Sequence, residues 1–326
     1  MNHIFVTGFW RSGTSLTLRL LDGHPQVCAM PHMTGMITML EKYPDFLAQL
    51  RACRTPHQLL ALMGHHSVVS NFRHIIKASF EGMSFTEDGE RYPFDFDFAR
   101  FAEAFLACLR ASQDSPTELR EVSLGYCAAI REGWTNCASK GGERVFARHQ
   151  GHRNYLFPGE DTVRFVVENI PDMVIAELVR DPVFQIGSAM RADPALSLES
   201  AIVYWTFAYN HARNCLRLHP GRYALYRYED VAADPAGVMF DIADRMGIAR
   251  HESLLTPTFN GQPWAGNSQF TKHKRLHART SPKLDEASVA YILKSLAVER
   301  AELGYPDCDP HALCAPAEAP AKGDAL

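Results

Sequence analysis

Residues 4–21 constrain the fold more than any other stretch. Ile4, Phe5 and Val6 form a short apolar run with β-branched ends, which predicts a buried strand. Gly8-Phe9-Trp10-Arg11-Ser12-Gly13-Thr14-Ser15 follows. Leu16, Leu18, Leu20 and Leu21 then continue as an apolar helix that stops near Gly23 and Pro25. Strand, glycine-rich turn and helix in that order wrap backbone N–H groups round an anion at a helix N-terminus, where the helix dipole adds to them. Gly8 and Gly13 have the spacing of a phosphate-binding loop. From the loop alone two readings stand: a phosphate site, or a plain glycine turn of another α/β protein. The triphosphatase pattern wants Lys and then Ser/Thr after the second glycine. Here Thr14 takes the Lys position, and the cation, Arg11, lies inside the loop. That placement suits an anion bound without the γ-phosphate geometry.

Trp10-Arg11-Ser12-Gly13-Thr14-Ser15 resembles the 5′-phosphosulfate loop of sulfotransferases that use PAPS, 3′-phosphoadenosine 5′-phosphosulfate. Leu20-Leu21-Asp22-Gly23-His24-Pro25 is similar to the branch containing tyrosylprotein sulfotransferases and many bacterial carbohydrate sulfotransferases. The resemblance implies cofactor contacts from Arg11, Ser12, Gly13, Thr14 and Ser15.

Composition bounds the rest. A chain of 326 residues holds one large α/β domain with its own core. A formal net charge of −4 gives no nucleic-acid or membrane-surface footprint, so an anion site must be local. Met1-Asn2-His3 leads straight into the strand, from which no signal peptide is expected. No apolar run approaches the ~20 residues that span a bilayer. The eight cysteines are scattered, with no C-x-x-C pair, and fit a reducing cytoplasm.

Along the chain, 27–30 reads as a second short strand, and 33–139 as mostly helical. Phe98, Phe101, Ala102, Phe105, Leu106 and Leu109 share one helical face. The polar, glycine-containing 82–93 reads as a loop. Strands are expected at 143–147, ending at Arg148-His149, at 173–179, ending at Arg180-Asp181-Pro182, and at 223–228. Helices are expected at 163–169, from Pro182 through Met190, and at 198–218, 235–246 and 288–303. The stretch 257–276 has no regular pattern. Alternating strands and helices predict a P-loop-like parallel sheet flanked by helices, with the helical region inserted over the site. The expected organisation is one domain over 1–306, with the acceptor-side insertion at about 33–139 and a disordered tail at 307–326. Ligands of such sheets bind at the carboxyl ends of the strands. Gly8, Arg148 and Arg180 are therefore expected along one edge.

Arg180-Asp181-Pro182 with Ser188 resembles the family's 3′-phosphate motif. Arg180 offers a charged fork to phosphate oxygens and Ser188 a hydroxyl from the next helix. Tyr226-Arg227-Tyr228-Glu229-Asp230 and Gly266-Asn267-Ser268 are similar to further family stretches. Lys272, Lys274 and Arg275 read equally well as phosphate contacts or as a solvated basic loop.

Sulfuryl transfer needs a base for the acceptor's proton and a cation on the leaving phosphate oxygen. Arg11 suits the cation, with Arg148 assisting, because relatives often carry a lysine where Arg148 falls. Tyrosylprotein-type relatives place a glutamate base where this chain has His32; cytosolic ones place a histidine near His149. His32 is the first assignment and His149 its rival. His65 and His66 have no motif around them and read as structural. No metal set is present in the sequence pattern, and none is expected. The resemblance implies a glycan or small-molecule acceptor with a hydroxyl, an amine being second choice. The alternatives are a nucleotide or small-molecule kinase, which wants the missing loop Lys, and a non-catalytic nucleotide-binding protein, which would lack a base.

Overall fold

A computed structural model describes residues 2–30, 35–66, 72–81, 84–87, 90–138, 145–152, 159–264 and 284–314. The chain opens with β1 (Asn2–Phe9), α1 (Thr14–Asp22) and β2 (Val27–Ala29). Among the described residues there follow α2 (Met36–Lys42), α3 (Phe46–Ala52), α4 (Pro56–His65), then α5 (Arg73–Glu81), and after the hairpin β3 (Ser84–Glu87) and β4 (Glu90–Pro93), α6 (Phe98–Ser112). α7 (Glu118–Gly133) leads back to the sheet as β5 (Val145–His152). Then come α8 (Gly159–Asn169), β6 (Met173–Val179), α9 (Pro182–Ala192), α10 (Leu198–Leu218), β7 (Tyr223–Arg227), α11 (Tyr228–Ala233) and α12 (Pro235–Met246). A two-residue pairing of β8 (Thr258–Phe259) with β9 (Gln262–Pro263) and the helices α13 (Glu286–Ser295), α14 (Ala297–Glu302) and α15 (Pro310–Cys314) complete the described chain.

The main sheet has the order β2-β5-β1-β6-β7, and each of its pairings is parallel. β1 is central and buried on both faces, which is why it reads as a continuous apolar run. Ile4 and Val6 pack with the leucines of α1. Phe5 packs on the opposite face with Val163, Ile175 and Tyr223. From β1 the chain first winds toward β2 and β5 and later crosses to β6 and β7. The strand order reverses at β1, so the crevice opens at its carboxyl end. The register puts Gly8 level with Leu178 of β6 and Gly151 of β5.

The helices between β2 and β5 build a core of their own, and Phe146 of β5 joins it. The six apolar residues that predicted α6 are all buried there. Five sequence expectations are corrected. The stretch expected as a loop contains the β3–β4 hairpin, in register with Phe85 opposite Tyr92; two strong strand formers outweigh their polar neighbours. β5 does not stop at Arg148-His149 but runs to His152. The strand expected over 223–228 stops at Arg227, Tyr228 already opens the short helix α11, and the expected last helix breaks at Leu296 into α13 and α14. Within the tail expected to be disordered, α15 forms and Leu313 packs against the α10–α13 cluster; residues 315–326 lie outside the described residues.

Candidate active site

The loop between β1 and α1 is shaped by three residues with positive φ: Gly8 at 153°, Arg11 at 72° and Gly13 at 104°. Ser12 N–H closes the turn on Phe9 O at 2.9 Å. A Cβ on Gly8 would stand 2.4 Å from both Leu178 O and Ser12 Oγ, so glycine there lets β6 and the loop close up. Gly13 precedes α1, and no side chain caps that helix. The first-turn N–H groups at half-buried Thr14 and Ser15 are therefore presented at the crevice, as an anion-binding N-terminus requires.

The second element is the turn from β6 into α9. Arg180 ends the strand, Asp181 caps α9 by accepting from Val183 N–H at 3.0 Å, and Pro182 starts the helix. The two elements meet. Arg11 Nε donates to Ser188 Oγ at 3.1 Å, and Arg191 Nη2 reaches the same oxygen at 3.5 Å. Burial, then the charges of Arg191 and Arg180, push the Arg11 guanidinium below its ordinary value. Two arginines thus reach one buried serine, and the charge of a third, Arg180, acts on Arg11 beside it. Tyr228 of α11 joins both elements: the Arg180 guanidinium lies 4.5 Å over its ring, and a Cβ on Gly13 would stand 2.3 Å from its Cδ2. Arg180 Nε and Ser12 Oγ are buried without a hydrogen-bond partner among the described residues.

Sequence reasoning assigned no role to Gln185, Arg191, Tyr228 or Trp205. Gln185 is fully buried, and its amide ties the two elements together. Nε2 donates to Phe9 O at 3.1 Å and Trp10 O at 3.3 Å. Oε1 accepts from Arg180 N–H at 3.2 Å and from Trp205 Nε1 at 3.1 Å. The one available signal was a long amide at an inward position of an otherwise apolar helix.

The structure does not bring Arg148 to this group. It pairs with Phe5, three positions before the Gly8–Gly151 pair, hence roughly 10 Å inside the sheet edge. Its guanidinium is fully buried, donating to Ser123 Oγ at 3.0 Å and to His3 Nδ1 at 2.5 Å. Burial and then the Arg148 charge hold His3 well below the ordinary histidine value, as an accepting ring requires. The backbone of His149 lies in β5 beside Val6, and its side chain lies outside the described positions. His32, Lys272, Lys274, Arg275 and Gly266-Asn267-Ser268 also lie outside the described residues. His24 is buried and neutral, its Nε2 on Ala249 O at 2.9 Å and its Nδ1 accepting from Gln26 N–H at 3.0 Å. His66 packs edge-on against Phe46 in the helical core, a structural role. Among the described residues, no group of three His, Cys, Asp or Glu is placed to hold a metal ion, and no helix is long and apolar enough to cross a membrane.

A family profile described as "Sulfotransferase family" matches residues 3–252. Two solved structures share the fold. The sulfotransferase domain from the curacin biosynthetic pathway is 17% identical, with 93% of this chain and 97% of that one covered and a TM-score of 0.52. The sulfotransferase domain from the Synechococcus PCC 7002 olefin synthase is 18% identical, with 91% and 94% covered and a TM-score of 0.50. A search of curated proteins finds no relative of the chain.

Proposed function

The chain belongs to the sulfotransferase family, and on that premise we propose that it moves a sulfuryl group from PAPS to a hydroxyl of a glycan or small-molecule acceptor, releasing 3′,5′-ADP. An amine is the second choice of acceptor. The observation that carries the reading is the 3.1 Å bond from Arg11 to Ser188, which joins two separate anion-binding elements in one crevice. A nucleoside with phosphate at both its 5′ and 3′ positions needs two such elements. A nucleoside triphosphate, with its charge at one end, needs one. The residues fit the donor: the orphaned Arg180 Nε and Ser12 Oγ are buried polar atoms that an anion can satisfy, and the local charge is that of three arginines.

When bound, PAPS supplies the activated sulfuryl group. The loop N–H groups with Ser12, Thr14 and Ser15 hold its 5′ end, and Arg180 and Ser188, with Arg191 beside them, hold the 3′-phosphate. Arg11, between the two, stabilises the charge left on the departing phosphate oxygen. Arg148 takes no part, being committed to Ser123 and His3. His32 accepts the proton of the acceptor, with His149 as the rival. The cytoplasm is the setting that its eight scattered cysteines, with no C-x-x-C pair, fit.

Nucleotide binding tests the reading. At equal concentration, 3′,5′-ADP should raise the melting temperature well above the shift given by ATP, whose 3′-hydroxyl leaves Arg180 without an anion. Arg180→Ala should weaken 3′,5′-ADP about tenfold to a hundredfold, the loss of one charged hydrogen bond worth roughly 1.5–3 kcal/mol. Adenosine 5′-phosphosulfate should bind the variant almost as before. Equal shifts with the two nucleotides, or an unchanged affinity in calorimetry, overturn the reading.

The base is tested by turnover. His32→Ala should lower it by about a hundredfold or more with 3′,5′-ADP affinity intact, and His32→Glu should restore part of it. Near-normal turnover in His32→Ala together with collapse in His149→Ala would move the role to His149.

A further inference from the structure

The matched family segment ends at residue 252, yet the chain beyond it reaches back to the anion-binding turn. Arg300 of α14 is 3% exposed. Its Nη2 donates to Asp181 Oδ2 at 3.0 Å and to Pro306 O at 3.0 Å. Asp181 directly follows Arg180, and its other carboxylate oxygen caps α9. Asp181 N–H donates to Glu229 Oε1 at 3.1 Å, and Glu229 Oε2 accepts from the Tyr305 hydroxyl at 2.9 Å. Arg227 Nη1 fastens the same segment by donating to Leu303 O and Gly304 O, each at 3.1 Å. Residues 300–305 therefore grip Asp181 twice, directly through Arg300 and through Glu229 by way of Tyr305.

We infer that Arg300 is a positioning residue for the anion-binding turn: its buried ion pair with Asp181 fixes the Arg180–Asp181 peptide and so the aim of the Arg180 guanidinium. The proposal rests on the reading of Arg180 as a ligand of the 3′-phosphate. The Arg180 side chain lies on Tyr228 with Nε unbonded, so the backbone on either side sets its direction. Arg180 N–H is held by Gln185, and its carbonyl accepts from Trp205 Nε1 at 3.3 Å. The following residue is held by Arg300. The ion pair has a second effect. With its carboxylate engaged by Arg300, Asp181 does not draw the neighbouring Arg180 into an ion pair, and the Arg180 charge stays available to an anion.

Calorimetry with 3′,5′-ADP and with adenosine 5′-monophosphate reads this out, because the ratio of the two affinities isolates the 3′-phosphate. Arg300→Met, which keeps the length of the stem, should cut that ratio about tenfold while the monophosphate affinity stays within about threefold. Arg300→Lys should recover part of it. If Arg300→Met fails to fold, the double variant Arg300→Met, Asp181→Asn removes the stranded carboxylate, keeps a capping oxygen and takes the same measurement. A lowered melting temperature with an unchanged ratio would make Arg300 a purely structural residue and overturn the proposal alone. Wild-type protein that binds the two nucleotides equally would overturn the reading of the site, and the proposal with it. The two failures are separable, because the second is seen without any substitution.

Discussion

Replacing Arg11 by asparagine should lower turnover by about a hundredfold to a thousandfold, the scale of losing a group that stabilises developing charge, without lowering the melting temperature. The two halves have one origin. Arg11 sits at φ 72°, a left-handed conformation that costs a branched or long residue roughly 1–2 kcal/mol and asparagine less. Burial, and then Arg191 and Arg180, push its guanidinium down, so the folded chain holds like charges close together. Asparagine relieves the backbone and removes one of the three charges. It gives up the hydrogen bond from the charged guanidinium to Ser188, worth roughly 1.5–3 kcal/mol, which the relief of backbone strain and of repulsion together offset. The comparison belongs in low-salt buffer, where repulsion is screened least. A melting temperature depressed by several degrees would show that the loop needs Arg11 to fold. Normal turnover would remove Arg11 from the reaction.

Such a conflict between stability and activity is what a site built before its ligand arrives should show. It also explains which parts of the crevice the sequence made legible. The loop is contiguous, and its meaning lies in local backbone geometry, so the glycines and the displaced cation could be read directly. Arg180 and Ser188 lie one helix apart and were legible as a pair. That Ser188 accepts from Arg11, 177 positions away, depends on how β1 and β6 lie side by side.

The misreadings share a cause. A strand ending at Arg148-His149, as the sequence suggests, would put that arginine at the sheet edge. The strand continues because Ser123, 25 positions away, and His3, 145 away, satisfy the guanidinium in the interior. Neither partner is visible from the residues flanking Arg148. Gln185 and Arg300 escaped for the same reason: each works through backbone groups or carboxylates far off in the chain. The β3–β4 hairpin is different. Phe85, Tyr92 and the Asp88-Gly89 dipeptide are local hairpin signals, and polarity with glycine content is the wrong criterion for a loop there.

Glu177→Gln should stabilise the protein by about 3 kcal/mol above pH 7 and by almost nothing near pH 4, the equivalent of moving one carboxyl by the interval between its folded and unfolded values. Glu177 lies in the middle of β6, between Thr7 of β1 and Leu225 of β7. Its carboxyl accepts from the Tyr223 hydroxyl and borders a small cavity lined by Phe9, Trp205 and Tyr209. Burial pushes it up from 4.5 to about 7, against the opposing pull of the Tyr223 hydrogen bond. The folded protein therefore holds a proton that the unfolded chain has already released between about pH 4.5 and 7. Stability falls as pH rises through that window and is level above it. Glutamine keeps the oxygen that Tyr223 needs and has no charge to bury. Denaturant unfolding of both proteins at several pH values should give curves that coincide at the acid end and separate toward neutrality. A difference that stays constant with pH would mean that Glu177 titrates like an exposed carboxylate. A loss of stability in the variant at every pH would mean that the interior depends on the charge itself.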